Sequence, residues 1–472
     1  MIPVTILAGH DVAVFGLGLS GLAAAHSLGA GGARVLAWDD TEAVRDKAQA
    51  QGVPLHDLAA ADWKKIAALV LSPGIPLTHP EPHWSVKKAR EAGVEVIGDA
   101  ELFFREKARE DSGTKVLVIT GTNGKSTTTA LTAHLLQVAG RPVALGGNIG
   151  RAVLDLPPFA SGFIYVLELS TFQIDLTPTL QPDAAALLNI TPDHLDRHGT
   201  IENYTALKAR VFAGLLGDGT AVIGVDDDCC RTIANTLSGP YGVKRVAVSH
   251  PVETGVWAKD GILTEVEKGV ERGRVSLHGI GSLRGSHNWQ NAAIAYALAR
   301  SQGVDASTIA RGLGTFAGLA HRMEQVARLG SVLFVNDSKA TNADAAAKAL
   351  ASFTDVYWIL GGRPKSGGLA GLEPYFPRIA RAYLIGEAAD AFAAQLGAEV
   401  DHVQCGTLSR AIKAAAADAK RSQTPEPVVL LSPACASYDQ FANFEARGRS
   451  FRDYVMQLPG VSQVQPRRGR AV

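Results

Sequence analysis

The sequence predicts an α/β protein of three domains, each a largely parallel sheet with helices on its faces. Three observations lead there. Three blocks of the 472-residue chain each open on an apolar strand-like run that stops at a Gly-rich or polar turn. Strand-like and helix-like segments then alternate, the pattern of parallel sheets covered on both sides. The length allows about three domains at roughly 150 residues each. The expected domains are residues 1–110, 111–319 and 320–472.

The first block begins with Val12-Ala-Val-Phe15 and runs into Gly16-Leu17-Gly18-Leu19-Ser20-Gly21. A helical stretch, Leu22 to Leu28, and a second strand, Arg34 to Asp39, follow. GxGxxG between a strand and a helix, with an acid about 18 residues after Gly21, is the Rossmann-like context. Its glycines let a diphosphate approach the helix N-terminus, and Asp39 is placed to bond a ribose. A purely structural turn is the alternative, and the motif speaks for diphosphate more than for hydride transfer. Leu69 to Ser72 and Val94 to Ile97 read as further strands, the first ending in the tight turn Ser72-Pro73-Gly74. The charged stretch Arg105 to Lys115 reads as a linker.

The second block opens on Val116-Leu-Val-Ile-Thr-Gly-Thr-Asn-Gly-Lys-Ser-Thr-Thr128. A β-branched strand, a Gly turn and a Lys-Ser pair at a helix start predict a P-loop-type mononucleotide site. Backbone N–H groups point at the anion, Lys125 reaches the β/γ-phosphates and Ser126 serves Mg²⁺. The usual first glycine of that pattern is replaced by Ile119, so the spacing is Gly121-x-x-Gly124-Lys125-Ser126. Strands are expected at Val116–Thr120, Phe163–Leu169, Ala184–Asn189 and Thr220–Gly224, and extra β-structure around 245–285. Helices are expected at Thr127–Ala139, Ile201–Leu215 and Asn288–Gln302.

Three features of this block carry chemistry. Glu168 lies inside a buried strand, where a carboxylate must be paired or bind a cation; with a Mg-nucleotide site nearby, a Mg²⁺ ligand is the sharper reading. Thr191-Pro-Asp-His194-Leu-Asp196-Arg-His198 places Asp and His densely at a strand end, although His194 alone is more often a satisfied loop histidine. Lys208 shares the edge of an apolar helix face with Tyr204 and Phe212. A snorkelling lysine is the usual reading; if it is buried, its pKa falls and the neutral amine becomes reactive.

The third block begins near Ala320, with strands expected at Val332–Asn336, Val356–Leu360, Ala382–Ile385 and Val428–Ser432, and Ala-rich helices between them. Asn336-Asp337-Ser338-Lys339-Ala340-Thr341-Asn342 ends the first of these strands and reads as a binding loop. His321-Arg322 precedes it, and Arg322 is either a surface cation or a phosphate contact. Gly361 to Gly368, with Lys365, and Leu431 to Arg449, with Ser437 and Phe444, are two more strand-end loops.

Composition excludes several classes. Lys plus Arg and Asp plus Glu number 46 each, so no global field favours nucleic acid or an anionic membrane. The four cysteines form neither CxxC nor a disulfide framework, which fits a reducing compartment. Neither a secretory leader nor a long apolar span is legible, so a cytoplasmic protein without membrane insertion is expected.

Together the motifs are familiar. GLGLSG, SPGI, TGTNGKST, GGNIG, LELSTFQ, TPDHLDRH, HNxxN, HR, NDSKATN, GGRPKSGG and SPACASYDQFxNFExRG run the length of the chain. As a set they resemble the Mur ligases of peptidoglycan synthesis, and the NDSKATN and NFExRG segments resemble the branch that adds D-glutamate. The resemblance implies an ATP- and Mg²⁺-dependent amide ligase, and a monomer is expected. Its partners would be small molecules only: UDP-N-acetylmuramoyl-L-alanine, D-glutamate and ATP. It also implies residue roles. Gly16, Leu17, Gly18, Leu19, Ser20, Asp39, Ser72, Gly74, Asn148, Ser170 and His194 would hold the UDP-substrate. Gly121, Thr122, Asn123, Gly124, Lys125, Ser126, Thr127, Asn288, Asn291, Arg322 and Asp337 would hold ATP. Ser126, Glu168, His194 and Lys208 would bind Mg²⁺, with Lys208 N-carboxylated to a carbamate. Lys125, Glu168, His194 and Lys208 form the implied catalytic set. Lys339, Thr341, Lys365, Ser437 and Phe444 would hold D-glutamate.

Overall fold

The computed structural model describes residues 1–110, 112–364 and 367–464. Lys365 therefore lies outside the described residues. Packing divides the chain into two bodies, Met1–Ser276 with Gln290–Gly312, and Leu277–Trp289 with Leu313–Val472.

The first body contains two sheets. The smaller is all parallel, in the order Arg34–Trp38, Asp11–Phe15, Ile66–Leu71, Glu95–Ile97. The larger has nine strands among the described residues. From one edge its order is Val143–Gly147, Ile164–Glu168, Lys115–Thr120, Ala184–Leu187, Thr220–Gly224, Gly242–Ala247 and Gly255–Lys259, all parallel. Two antiparallel strands, Ile262–Glu267 and Val270–Ser276, complete it. They are part of the extra β-structure expected around 245–285, for which the sequence carries no strand direction. Asp260-Gly261 and Lys268-Gly269 take positive φ (46°, 70°, 50° and 75°) and close two tight hairpins, the backbone twist that suits antiparallel neighbours.

The central strands are apolar on both faces because helices cover both: Ile164–Glu168 and Ala184–Leu187 are buried at every position. One core serves both sheets. Val12, Val14 and Leu28 of the first layer belong to the same buried cluster as Val116, Val118, Tyr165 and Leu167 of the second. Polar ties reinforce it. The Ile2 amide donates to the Leu154 carbonyl at 2.8 Å and the Gly98 amide to Leu176 at 2.9 Å. Glu101, fully buried, accepts from the Thr179 amide (3.0 Å), the Thr179 hydroxyl (2.8 Å) and Arg105 Nε (2.6 Å). Glu101 and Arg105 belong to a helix, Asp99–Arg109, which covers the first half of the expected linker. Its charges mislead a reader of the sequence, because Leu102, Phe103 and Phe104 on the same helix are buried.

The second body has one sheet, ordered His402–Gly406, Ile379–Ile385, Val356–Gly361, Val428–Leu431, Val332–Asn336, Glu324–Leu329, Ser462–Gln463. The first five are parallel, and Glu324–Leu329 runs antiparallel to both its neighbours. That strand, Glu-Gln-Val-Ala-Arg-Leu, escapes the sequence reading because polar residues interrupt its apolar run. No helix among the described residues is long and apolar enough to cross a membrane.

The shared core makes a direct prediction. Glu101→Ala strands the Thr179 amide and breaks half of the Arg105 pairing, costing about 2–3 kcal/mol. Because both sheets share one cluster, the first body unfolds in a single denaturant transition shifted to lower concentration. Two resolved transitions for the first body would contradict the shared core.

Candidate active site

In the first body the Gly turn is built by its neighbours. The strand Lys115–Thr120 ends and the helix Lys125–Val138 begins with Gly124 in the left-handed region, φ 87°. A side chain there is excluded twice, by φ and because a Cβ would collide with Asn291 Oδ1 and stand 2.8 Å from Leu188 Cδ2. Ile119, at the position of the missing glycine, is a strand residue paired with Glu168 and Ala186. Asn189 clamps the turn: its Oδ1 accepts the Asn123 amide at 2.9 Å and its Nδ2 donates to the Asn123 carbonyl at 3.1 Å. The Thr122 hydroxyl donates to the Thr191 carbonyl (3.1 Å) and lies 3.2 Å from the Tyr204 hydroxyl. Ser126 is buried and Thr127 half-buried in the first helical turn. Asn291 is buried and accepts from the Thr128 hydroxyl at 3.2 Å, so it supports the turn from beneath.

Two cations converge here. Lys125 Nζ donates to the Gly121 carbonyl at 2.9 Å and to Thr122 at 2.8 Å. Lys208 Nζ donates to the same Gly121 oxygen at 2.9 Å and lies 4.6 Å from the centre of the Tyr204 ring. Lys208 is 1% exposed, so of its two readings burial holds. Burial, with the Lys125 charge next, pulls its pKa down to about 7. The helix expected over Ile201–Leu215 ends at Ala209, and a 3₁₀ turn, Arg210–Phe212, follows.

Glu168 ends its strand 1% exposed. Its Oε1 accepts from Asn148 Nδ2 at 2.8 Å, while its buried Oε2 has no partner. Asn148 is fixed in turn by its own amide, which donates to the Glu168 carbonyl at 2.8 Å. His194 takes φ 52° ahead of the short helix Leu195–His198, and its half-exposed ring packs 5.1 Å from Phe172. Among the described residues no hydrogen bond or ion pair joins Glu168, His194 and Lys208. Among the described residues no three His, Cys, Asp or Glu side chains gather in a metal-binding group.

The Gly16–Gly21 turn closes on the Ser72 turn. Ser72 Oγ donates to the Gly16 carbonyl at 2.6 Å, and Gly16 has φ 86°. The Asp39 carboxylate accepts the Leu17 amide at 2.8 Å, so it shapes this turn as well as facing it. Gly18 and Leu19 are exposed and Ser20 half-buried. Ser170 caps the helix Thr171–Asp175 in a capping box with Gln173. Arg197, to which sequence reasoning assigns no role, donates to the carbonyls of Gly74 (2.9 Å) and Ile75 (3.0 Å) and covers the Phe172 ring at 4.7 Å. It ties the SPG turn to the His194 loop. A charged residue within a Gly/Pro/His-rich run was the available signal.

In the second body, Asp337 is buried and accepts from the Ser432 hydroxyl (2.9 Å) and the Met323 amide (3.2 Å). Burial pushes its carboxyl up to about 7, against smaller opposing effects of those bonds and of Arg322. His321 and Met323, on either side of Arg322, have φ 64° and 48°. Lys339 Nζ sits 3.7 Å over the Phe444 ring, so the structure brings these two together. Ser437 is 2% exposed and Thr341 half-buried. Asn288 donates to the Arg284 carbonyl at 2.9 Å.

Chemically, the first body offers a positive, Gly-lined turn beside a buried carboxylate oxygen, and the second a cationic and hydroxyl-bearing set of strand-end loops. Family models match in the same order. The Mur ligase MurD-like N-terminal domain matches residues 10–98, the Mur ligase middle domain 119–299, and the Mur ligase glutamate ligase domain 321–435. The chain belongs to the Mur ligase family. It is 55% identical over 469 residues to the UDP-N-acetylmuramoylalanine--D-glutamate ligase of Chelativorans sp., covering 99% of this chain and all of that one. It is 56% identical over 466 residues to the ligase of the same name from Rhodopseudomonas palustris, covering 98% and 100%. The crystal structure of the UDP-N-acetylmuramate-alanine ligase of Thermotoga maritima shares the fold, with TM-score 0.57 at 17% identity over 94% of this chain and 98% of that one.

Asp337 predicts a pH dependence. Its folded pKa lies above the ordinary carboxylate value of about 4, so its stabilising contribution is full below about 4 and is lost as pH rises through about 7. Asp337→Asn removes the titration. The melting temperature of the variant relative to the parent should rise between about pH 4 and 7 and then level off. A gap that does not vary with pH would contradict the assignment.

Proposed function

We propose that this chain is an ATP-dependent amide ligase that joins D-glutamate to UDP-N-acetylmuramoyl-L-alanine in cytoplasmic peptidoglycan precursor synthesis. The observation that carries the reading is identity of about 55% over essentially the full length of relatives bearing that name. The site supports it from below. The Gly121–Ser126 turn and the N-terminus of the helix Lys125–Val138 fit the phosphates of ATP. Lys125 leaves the Gly121 and Thr122 carbonyls for the β/γ-phosphates. Asn288, Asn291, Arg322 and Asp337 carry the ATP-binding roles that family membership implies.

A divalent cation fits the residues present: the buried Glu168 Oε2 lacks a partner, and a carboxyl oxygen so placed is costly unless a cation or donor meets it. Ser126, Glu168, His194 and Lys208 would hold it. When bound, Mg²⁺ supplies charge neutralisation to the phosphoryl groups. Lys208 joins this set as a carbamate. Its neutral amine attacks CO₂, a C–N bond forms as one C=O π bond opens onto oxygen, one N–H proton leaves to water, and the side chain becomes an anionic oxygen ligand.

The reaction then runs in two displacements. The L-alanyl carboxylate attacks the γ-phosphorus of ATP, giving an acyl phosphate and ADP. The D-glutamate amine attacks the acyl carbon, and the tetrahedral adduct expels phosphate. Lys125 offsets the repulsion between carboxylate and polyphosphate in the first step. Gly16 to Ser20, Asp39, Ser72, Gly74, Asn148 and Ser170 hold the UDP-sugar. Lys339, Thr341, Ser437 and Phe444, with Lys365, hold the amino acid.

Phosphate release from ATP and Mg²⁺ with UDP-N-acetylmuramoyl-L-alanine, against a panel of D- and L-amino acids, tests the reading. Release is expected only with D-glutamate, together with an amide product by mass. Release with another amino acid overturns the substrate, and no release with any overturns the reaction. Lys125→Ala should lower kcat by about 10²–10³ while the protein remains folded by circular dichroism.

A further inference from the structure

Arg447 is a guanidinium buried to 1% exposure on the helix Phe444–Met456. Its partners are all neutral oxygens. Nη2 donates to the carbonyls of Ser338 (2.9 Å) and Cys435 (3.0 Å), Nε to the Ser338 hydroxyl (3.0 Å), and Nη1 to the Ala436 carbonyl (3.4 Å). A third strand-end turn closes over it, since a Cβ on Gly362 would stand 3.2 Å from Nη1. A buried charge without a carboxylate partner is costly, and a fold that keeps one gains something from its field or its geometry.

The geometry is specific. A trans peptide points its N–H away from its C=O. The three carbonyls turned toward Arg447 therefore send the amides of Lys339, Ala436 and Ser437 the other way. The Lys339 amide donates to His321 (3.0 Å) and the Ala436 amide to Arg363 (3.2 Å). The Ser437 amide and hydroxyl have no partner among the described residues, although Ser437 is 2% exposed. The Ser338 hydroxyl that receives Arg447 Nε donates to the Phe444 carbonyl at 2.9 Å, and the Phe444 ring carries Lys339.

We infer that Arg447 is the positioning residue of the amino-acid pocket: it fixes the 338 and 435–436 carbonyls so that the Ser437 amide and hydroxyl receive a substrate carboxylate. Its charge, hydrogen-bonded only to neutral oxygens, lies behind those donors and favours an acidic amino acid. The inference rests on the ligase reading above, which places the amino acid among these loops.

The test is steady-state kinetics of the full-length protein and of Arg447→Lys and Arg447→Ala, with KM measured separately for D-glutamate, ATP and the sugar nucleotide. Arg447→Lys keeps the charge and loses the fork; it should raise KM for D-glutamate about tenfold. Arg447→Ala should raise it about a hundredfold, with recovery on adding guanidinium ion. In both, KM for ATP and for the sugar nucleotide should stay within about twofold, because only hydrogen bonds at the amino-acid loops are lost. Unchanged KM for D-glutamate in either folded variant overturns the inference. So does a parallel loss of kcat and all three KM values with a lowered melting temperature in both, which marks a structural role alone. If the parent protein itself fails to use D-glutamate, the ligase reading has failed and this inference falls with it. If the parent uses it and the variants bind it normally, only the role of Arg447 fails.

Discussion

Two lysine ammonium groups share one backbone oxygen, the Gly121 carbonyl, at 2.9 Å each. One carbonyl dipole offsets two charges poorly, and like charges repel more strongly where water is excluded. The arrangement is tolerable in three ways: an anion arrives, one lysine loses its proton, or one lysine becomes an anion. The first describes a phosphate cradle. The second is favoured at Lys208, where burial and the Lys125 charge pull the pKa down to about 7. The third is the proposed carbamate. The rest of the site serves this constraint. Asn189 and Asn291 hold the turn in a shape that only glycine at 124 can take, and Tyr204 offers its ring to Lys208 and its hydroxyl to Thr122.

The fold delivers these groups because parallel strands end together. Lys115–Thr120 lies between Ile164–Glu168 and Ala184–Leu187, so their C-terminal ends bring Gly121, Glu168 and the Asn189 loop to one edge, where α/β sheets bind ligands. The second body repeats the device. Val356–Gly361, Val428–Leu431 and Val332–Asn336 are neighbours, and the loops after them meet around Arg447.

Much of this was legible in the sequence, for physical reasons. Strands covered on both faces are continuously apolar, so Val116–Thr120 and Val332–Asn336 can be read directly. Gly-rich turns announce themselves because few residues tolerate φ 87° at Gly124. What was not legible depends on burial. Lys208 on the edge of an apolar helix face reads first as snorkelling, and only packing shows that it is buried. Arg105 to Arg109 reads as the start of a linker because it is charged, although it is the last part of the helix Asp99–Arg109, which Leu102, Phe103 and Phe104 bury. Glu324–Leu329 is hidden by its polar residues. Arg447 looks like one more surface arginine, since nothing local says that three loops close over it.

The neutral amine of Lys208 is the most exposed consequence of the shared carbonyl, and it can be observed without turnover. Protein equilibrated with ¹³C-bicarbonate should show a carbamate ¹³C resonance that is absent from Lys208→Arg and that weakens as pH falls well below 7, where the amine stays protonated. No such resonance in the folded parent protein, or one that persists in Lys208→Arg, would contradict the account.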